Sequence, residues 1–391
     1  MCQRLLACCL SLFVIVCLSH DAASDDGASY DGASYDGAGG GTDRESIWVT
    51  SIARLGDTDQ FLAATADGLL LREASVCSFP ATDPTQLEPL YAHPAAVWCV
   101  AATGDGKTVA SVDYRGNLVV FDVASSKAKT YDKAFERWCQ AMVIAADDQA
   151  VVAGNEAGKV MAWDLKAGKA SKSVELDGHE VTGLAFSPDG SQLAASDGGG
   201  HVHLLKWPSL ESAGKIEVSG ETAWCVGYVD QGENLLVGSS DRNLYRCPAK
   251  ADAKAETLIQ GNDWITQLAV SQSGQVAAGE VGGRLHFPST GGSDSISASS
   301  GVWSLCWNSE GQLFAGTRKD GIVIAGRSWK WTEPAPPAKE PAKEPAKEPT
   351  KEPTKEPAKE PAKEPAGSEE ETPAAVEEKP SEEKPAEEKP A

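Results

Sequence analysis

The sequence predicts an all-β chain in which seven four-stranded antiparallel sheets surround a central channel. Three observations predict it. A strand–turn–strand unit recurs from Ile47 to about Trp331 with a period near 41 residues. Within each unit apolar residues alternate with period 2, as strands require. No helical stretch of useful length interrupts the units. A unit this small cannot bury its apolar face alone, so the units must stack on one another around a central channel.

The clearest unit is Gly178 to Asp197, GHEVTGLAFSPDGSQLAASD. Val181, Leu184 and Phe186 mark one short strand, and Leu193 to Ala195 opens a second. Between them Ser187-Pro188-Asp189-Gly190 reverses the chain, because Pro presets φ at one turn position and Gly supplies positive φ at another. The first strand starts at Trp48-Val49, Val97-Trp98, Trp138-Cys139, Val181-Thr182, Ala223-Trp224, Trp264-Ile265 and Val302-Trp303. Each leads to a Gly/Ala/Ser-rich second strand, as in AVVAGNEAG or LLVGSSDRN, and then to a third, as in NLVVFD or KVMAWD.

These residues resemble the WD40 repeat family. Gly178-His179 matches its Gly-His pair, Trp163-Asp164 its name-giving dipeptide, and Phe121-Asp122 approximates that dipeptide. The sequence departs from the family's polar tetrad: Asp113, Asn155 and Asp197 take its serine position, and Phe121 and Leu205 take its Trp position. The resemblance implies a seven-bladed β-propeller over residues 46–333, serving as a non-catalytic platform for proteins or peptides. Ser328-Trp329-Lys330-Trp331 is expected to be the outer strand of blade seven, closing the ring without exchange of residues 40–46. Repeats such as GKVMAWDLKAGK also resemble quinoprotein-type propellers, which keeps an enzyme or cofactor-binding relative as an alternative.

Outside the repeats, Arg4 precedes an apolar run, Leu5 to Val16, too short to span a bilayer comfortably. Residues 1–19 therefore read as a signal peptide and export is expected, to periplasm, cell envelope or medium; an uncleaved signal would instead anchor the chain. Residues 20–45 hold a tandem Asp-Gly-Ala-Ser-Tyr repeat, too small and acidic to bury a core, and read as a linker. From Pro334 to Ala391 Lys-Glu-Pro units recur, and Pro at every fourth position forbids a continuous helix or sheet. Residues 334–391 therefore read as a disordered tail, with a cell-envelope spacer as its functional alternative.

Net charge is −22 over 391 residues, with −6 in residues 21–45 and −7 from Glu333 onward. Such a balance disfavours nucleic acid, which needs clustered Lys and Arg, and suits a basic protein partner. Cys77, Cys99, Cys139, Cys225, Cys247 and Cys306 lack metal-type spacing and sit in apolar strand patterns, so they read as buried thiols.

The candidate binding residues are Trp48, Trp98, Trp138, Trp224, Trp264 and Trp303, at the head of the innermost strand in six of seven units. Trp98, Trp224 and Trp303 follow the apolar position equivalent to Val181, and Trp48, Trp138 and Trp264 precede it. Side chains alternate along a strand, so both sets point away from the face of Val181, toward the channel or its mouth. There they either form a docking platform of large rigid rings, able to hold a cation, or plug the channel. His201-x-His203 shares one strand face but has no third ligand in reach by sequence, so a solvated face is expected there and no metal. His179 and His93 are expected to be structural hydrogen-bond partners, and Asp67, Asp241 and Asp320 to cap tight turns. No nucleophile–base pair, paired acids or phosphate cradle stands in its proper context, so neither catalytic residues nor a cofactor are expected.

Overall fold

The small residues of the second strands are what bring the blades together. In the computed structural model, described for residues 47–288, 292–295 and 301–325, twenty-seven strands form seven separate antiparallel sheets. Six sheets have four strands, in chain order from the channel outward, and the seventh has three among the described residues. The innermost strands are Trp48–Arg54, Val97–Ala102, Cys139–Ile144, Val181–Phe186, Ala223–Val229, Ile265–Val270 and Val302–Trp307. Each lies beside the innermost strand of the next blade, and the seventh lies beside the first, so the ring closes. Apart from one 3-10 turn at Asp230–Gly232, the described residues hold no helix. The expected strand Ser328–Trp331, residues 40–46, the signal segment, the linker and the tail lie outside the described residues.

One residue near the head of each innermost strand is sealed from solvent: Val49, Val97, Cys139, Val181, Ala223, Ile265 and Val302. In four of the seven junctions the socket that receives it is a glycine on the second strand of the preceding blade. A Cβ added at Gly154 would overlap the Val181 side chain. At Gly238 it would lie 2.7 Å from Ile265 Cγ2, and at Gly279 3.3 Å from Val302 Cγ1. At Gly316 it would lie 2.8 Å from Val49 Cγ1, and this socket joins blade seven to blade one. The same junction is reinforced by the Ile52 N–H, which donates to Ser304 Oγ at 2.8 Å, and by the Phe61 and Phe314 rings, 4.9 Å apart. Burying each such aliphatic knob contributes roughly 1.5–3 kcal/mol, so the Gly/Ala/Ser-rich second strands are a packing requirement of the ring.

In blades two, three and four the turn from second to third strand is held by the residue that ends the second strand. Asp113 Oδ1 accepts from the N–H groups of Arg115 and Asn117, Asn155 Oδ1 from Ala157 and Lys159, and Asp197 Oδ1 from Gly199 and His201. Gly116, Gly158 and Gly200 complete these turns with φ near +80°, a conformation that only glycine adopts without strain. Of the aspartates expected to cap these turns, Asp241 does so and the Asp67 side chain does not. Asp241 does cap Asn243 at 3.0 Å, but the Asp67 carboxylate faces Arg72 at 3.6 Å, and the Asp320 N–H donates to Thr317 Oγ1. The strand's last residue lies under the turn and reaches both free N–H groups, whereas a residue inside the turn reaches at most one.

Every innermost strand also carries a β-bulge at one place. Pairing with the second strand skips Thr50, Trp98, Gln140, Thr182, Trp224, Thr266 and Trp303, each directly after the sealed residue. A bulge frees one residue from the ladder and re-aims its side chain, and such kinks favour rims and sites.

Candidate functional site

In five of the seven blades the bulge residue is used in one of two ways. In blades one and four it is a threonine that ties its blade to the next: Thr50 Oγ1 donates to the Val97 carbonyl at 2.6 Å, and Thr182 Oγ1 donates to the Ala223 carbonyl. In blades two, five and seven it is Trp98, Trp224 or Trp303. Blades one, three and six place their tryptophan one residue before the sealed position instead, as Trp48, Trp138 and Trp264. Blade four alone has no indole at either place and presents Glu180 there, its carboxylate folded over Gly198.

Both registers converge on one space. Trp48 meets Trp303 edge-on at 5.0 Å and Trp98 at 5.5 Å, while Trp98 meets Trp138 at 5.0 Å and Trp303 at 6.1 Å. Blades seven, one, two and three thus contribute a continuous arc of four indoles, flanked by the Tyr114 ring 5.2 Å from Trp138. Trp224 and Trp264 form a separate stacked pair at 6.1 Å. Burial divides the set again. Trp48 and Trp98 are only 6 % and 7 % exposed, whereas Trp138, Trp224, Trp264 and Trp303 are partly open to solvent. The arc therefore has a closed floor and an accessible edge.

Two features give this surface polarity. The Arg318 guanidinium sits 5.4 Å from the centre of the Trp48 ring, a cation–π distance. The indole N–H groups of Trp48 and Trp224 are buried and meet no acceptor among the described residues. Unmet donors of this kind cost roughly 1–3 kcal/mol each, so an acceptor brought to them would be favoured.

The histidines are not alike. His93 is a buried structural partner, as expected: Nε2 bonds Ser111 Oγ at 2.7 Å and Nδ1 lies 3.5 Å from Asp113 Oδ2. The face of His201 and His203 is not the solvated one expected. His203 is 6 % exposed and its Nε2 lies 2.8 Å from Asp197 Oδ2, while His201 Nδ1 lies 3.2 Å from Asp197 Oδ1. The hairpin turn folds the end of the second strand under the third, which supplies the third polar group that strand spacing could not reveal. Burial pushes the carboxyls of Asp113 and Asp197 up. Bonds from His93 and Asn117 to the first, and from His203 and the His201 N–H to the second, outweigh it and hold both below the ordinary range. The six described cysteines are thiols; burial pushes Cys99 up to about 12 and Cys77 to about 11, far from a reactive thiolate.

Of the site, sequence reasoning found all six tryptophans but missed the bulge, the division into arc and pair, Glu180 and Arg318. The signal for the bulge was the recurrence of Trp or Thr directly after the sealed residue in six blades.

The sequence pattern of the "WD domain, G-beta repeat" family matches residues 84–122, 170–204 and 292–324. The first two matches each begin in or just before the outer strand of one blade and end in the third strand of the next, so the sequence repeat is offset from the blade. The chain is 27 % identical over 81 residues to the WD repeat-containing protein SL1-17 of Schistosoma mansoni, covering 21 % of this chain and 27 % of that protein. It is 22 % identical over 208 residues to autophagy-related protein 16 of Arabidopsis thaliana, covering 41 % of each. It is 25 % identical over 197 residues to transcription factor unc-37 of Caenorhabditis elegans, covering 49 % of this chain and 32 % of that protein. The chain thus spans from about a quarter to two-fifths of the length of these relatives.

Proposed function

Because the chain is a WD40-repeat protein folded as a seven-bladed propeller, we propose that it is a non-catalytic scaffold that docks a protein segment on the end of the ring where the innermost strands begin. The observation that carries this reading is the division of the indoles into a buried floor, Trp48 and Trp98, and an accessible rim, Trp138, Trp224, Trp264 and Trp303. Rings that only plugged the channel would have no need of an exposed edge. Large rigid rings supply contact area at low entropic cost, which is why tryptophan is enriched among binding hot spots.

The partner is a basic segment. Indole faces attract guanidinium and ammonium groups, and Arg318 already occupies the face of Trp48 in that manner. Blade four, between the blades of Trp138 and Trp224, replaces its indole with Glu180, which supplies a counter-charge where a Lys or Arg side chain would enter. The proposal extends to location: Arg4 and the apolar run Leu5 to Val16 support export of the chain.

A random peptide library selected on the full chain tests the proposal. Peptides rich in Arg and Lys should be enriched, and the double variant Trp224→Ala/Trp264→Ala should lose them while its circular dichroism stays unchanged. Equal enrichment by wild type and variant would refute the docking face, and selection of acidic or neutral peptides would refute the basic partner.

A further inference from the structure

Blade four gathers three imidazoles and a carboxylate beyond what its turn requires. Asp197 ends the second strand (Gln192–Asp197), and His201 and His203 share one face of the third (His201–Lys206). The N–H groups of Gly199 and His201, each 2.9 Å from Asp197 Oδ1, fix the carboxylate's orientation. His203 Nε2 lies 2.8 Å from Oδ2, and His201 Nδ1 lies 3.2 and 3.3 Å from the two oxygens. One donor atom from each residue therefore falls within 4.8 Å of the others. Ligands around a tetrahedral zinc ion stand about 3.3 Å apart, so small side-chain rotations suffice to close on a metal. His179 stands nearby: its Nε2 and His201 Nδ1 lie 2.9 and 3.0 Å from the point where a Cβ would stand on Gly199. Glycine at that position leaves the space between the two rings open.

Blade six shows what the structural requirement alone looks like. There His286 Nε2 meets Glu280 Oε1 at 2.7 Å, at the register positions of His203 and Asp197. One imidazole on one carboxylate satisfies that blade. The position of His201 is Arg284 in blade six, Asn117 in blade two and Asn243 in blade five. The second and third imidazoles of blade four are additional to the packing pattern. Among the described residues, no other group of three such ligands comes together.

We propose that Asp197, His201 and His203 bind a divalent first-row transition ion of the zinc class, with His179 placed to complete the coordination. Two imidazoles and one carboxylate form a borderline donor set that suits zinc rather than calcium or magnesium, which take oxygen ligands. The backbone donors on Oδ1 act as the outer-shell anchors that orient a ligating carboxylate. The bound ion would tie the second and third strands of blade four to the loop that carries His179. This inference uses none of the channel tryptophans and stands or falls apart from the docking proposal.

Zinc chloride titrated into the chelator-treated full chain, followed calorimetrically at neutral pH, tests it. One equivalent should bind per chain. His201→Asn, which installs the residue that blades two and five already carry at that register, should keep the fold. It should weaken zinc by more than the roughly 10–100-fold that loss of an outer-shell partner costs. Cobalt substituted for zinc should give ligand-field bands without thiolate charge-transfer absorption, which separates this site from the cysteines. No zinc uptake at micromolar free metal, undiminished affinity in His201→Asn, or a thiolate-dominated cobalt spectrum would each overturn the assignment.

Discussion

Trp98→Ala separates the two jobs the indoles hold. Trp98 is the hub of the arc, 7 % exposed and in edge-on contact with Trp48, Trp138 and Trp303 at 5.5, 5.0 and 6.1 Å. Truncation removes a buried indole among partners that belong to three other blades and cannot all move inward. A buried Trp→Ala change costs about 3–5 kcal/mol. Each aromatic contact carries about 0.5–1.5 kcal/mol beyond area, which places this site toward the upper part of that range. For a ring of this size that corresponds to a fall in melting temperature of roughly 6–20 °C. Trp224→Ala removes a partly exposed ring with one stacked neighbour at 6.1 Å, and is expected to cost about 1–2 kcal/mol. Thermal unfolding followed by circular dichroism compares the two, with midpoints read at one scan rate. Peptide binding should show the reverse order, lost in Trp224→Ala at temperatures where both variants are folded. Equal destabilisation by the two substitutions would refute the division into floor and rim.

Two further outcomes test the ring itself. Gly154→Ala should cost about 1–3 kcal/mol by forcing a methyl into the space of Val181, and Val181→Ala added to it should recover part of that loss; a double variant no more stable than the sum of the singles would show that the socket is not what binds blade three to blade four. Bonds from the Ser187 hydroxyl, and then from the Ser191 backbone and hydroxyl, hold the Asp189 carboxyl at about 2, below its ordinary 3.8. Its contribution is therefore complete above about pH 4 and is lost as pH falls toward 2. Asp189→Asn should flatten the dependence of melting temperature on pH over that window, and parallel curves for wild type and variant would refute the assignment.

The repeat was legible because one requirement recurs at a fixed place: a residue sealed between blades, followed by a turn and a strand of small residues. Val97, Val181, Ala223 and Val302 open their strands at the positions the alternation gave. Why the second strand must be small was not legible, since the knob that enters Gly154 comes from Val181, a full strand and loop away. The bulge was hidden for a different reason. An extra residue resets the alternation without leaving a gap, and only the recurrence of Trp or Thr after the sealed residue marks its place. The indole contacts were hidden as well, because Trp48 and Trp98, in opposite registers of adjacent blades, meet only once the ring has brought the two strand heads side by side.

Blade four shows how far the repeat and the function can diverge within one chain. It follows the family pattern most closely, and it is the blade that gives up its indole for Glu180 and its strand face for two imidazoles. Asp197 lies four and six residues before His201 and His203, but on a different strand, so strand alternation does not place its carboxylate beside the two imidazoles. A strand keeps side chains on one face about 7 Å apart at i and i+2. The hairpin turn closed by Asp197 Oδ1 places a carboxylate between them, so the bond that satisfies the turn also assembles the cluster. In blades two and three the same cap brings no second imidazole to the turn, because Asn117 and Lys159 stand where blade four has His201. Both strand positions are needed: blade two has Asn117 and Val119 there, and blade three Lys159 and Met161, so of these three capped turns only that of blade four adds two imidazoles to its carboxylate.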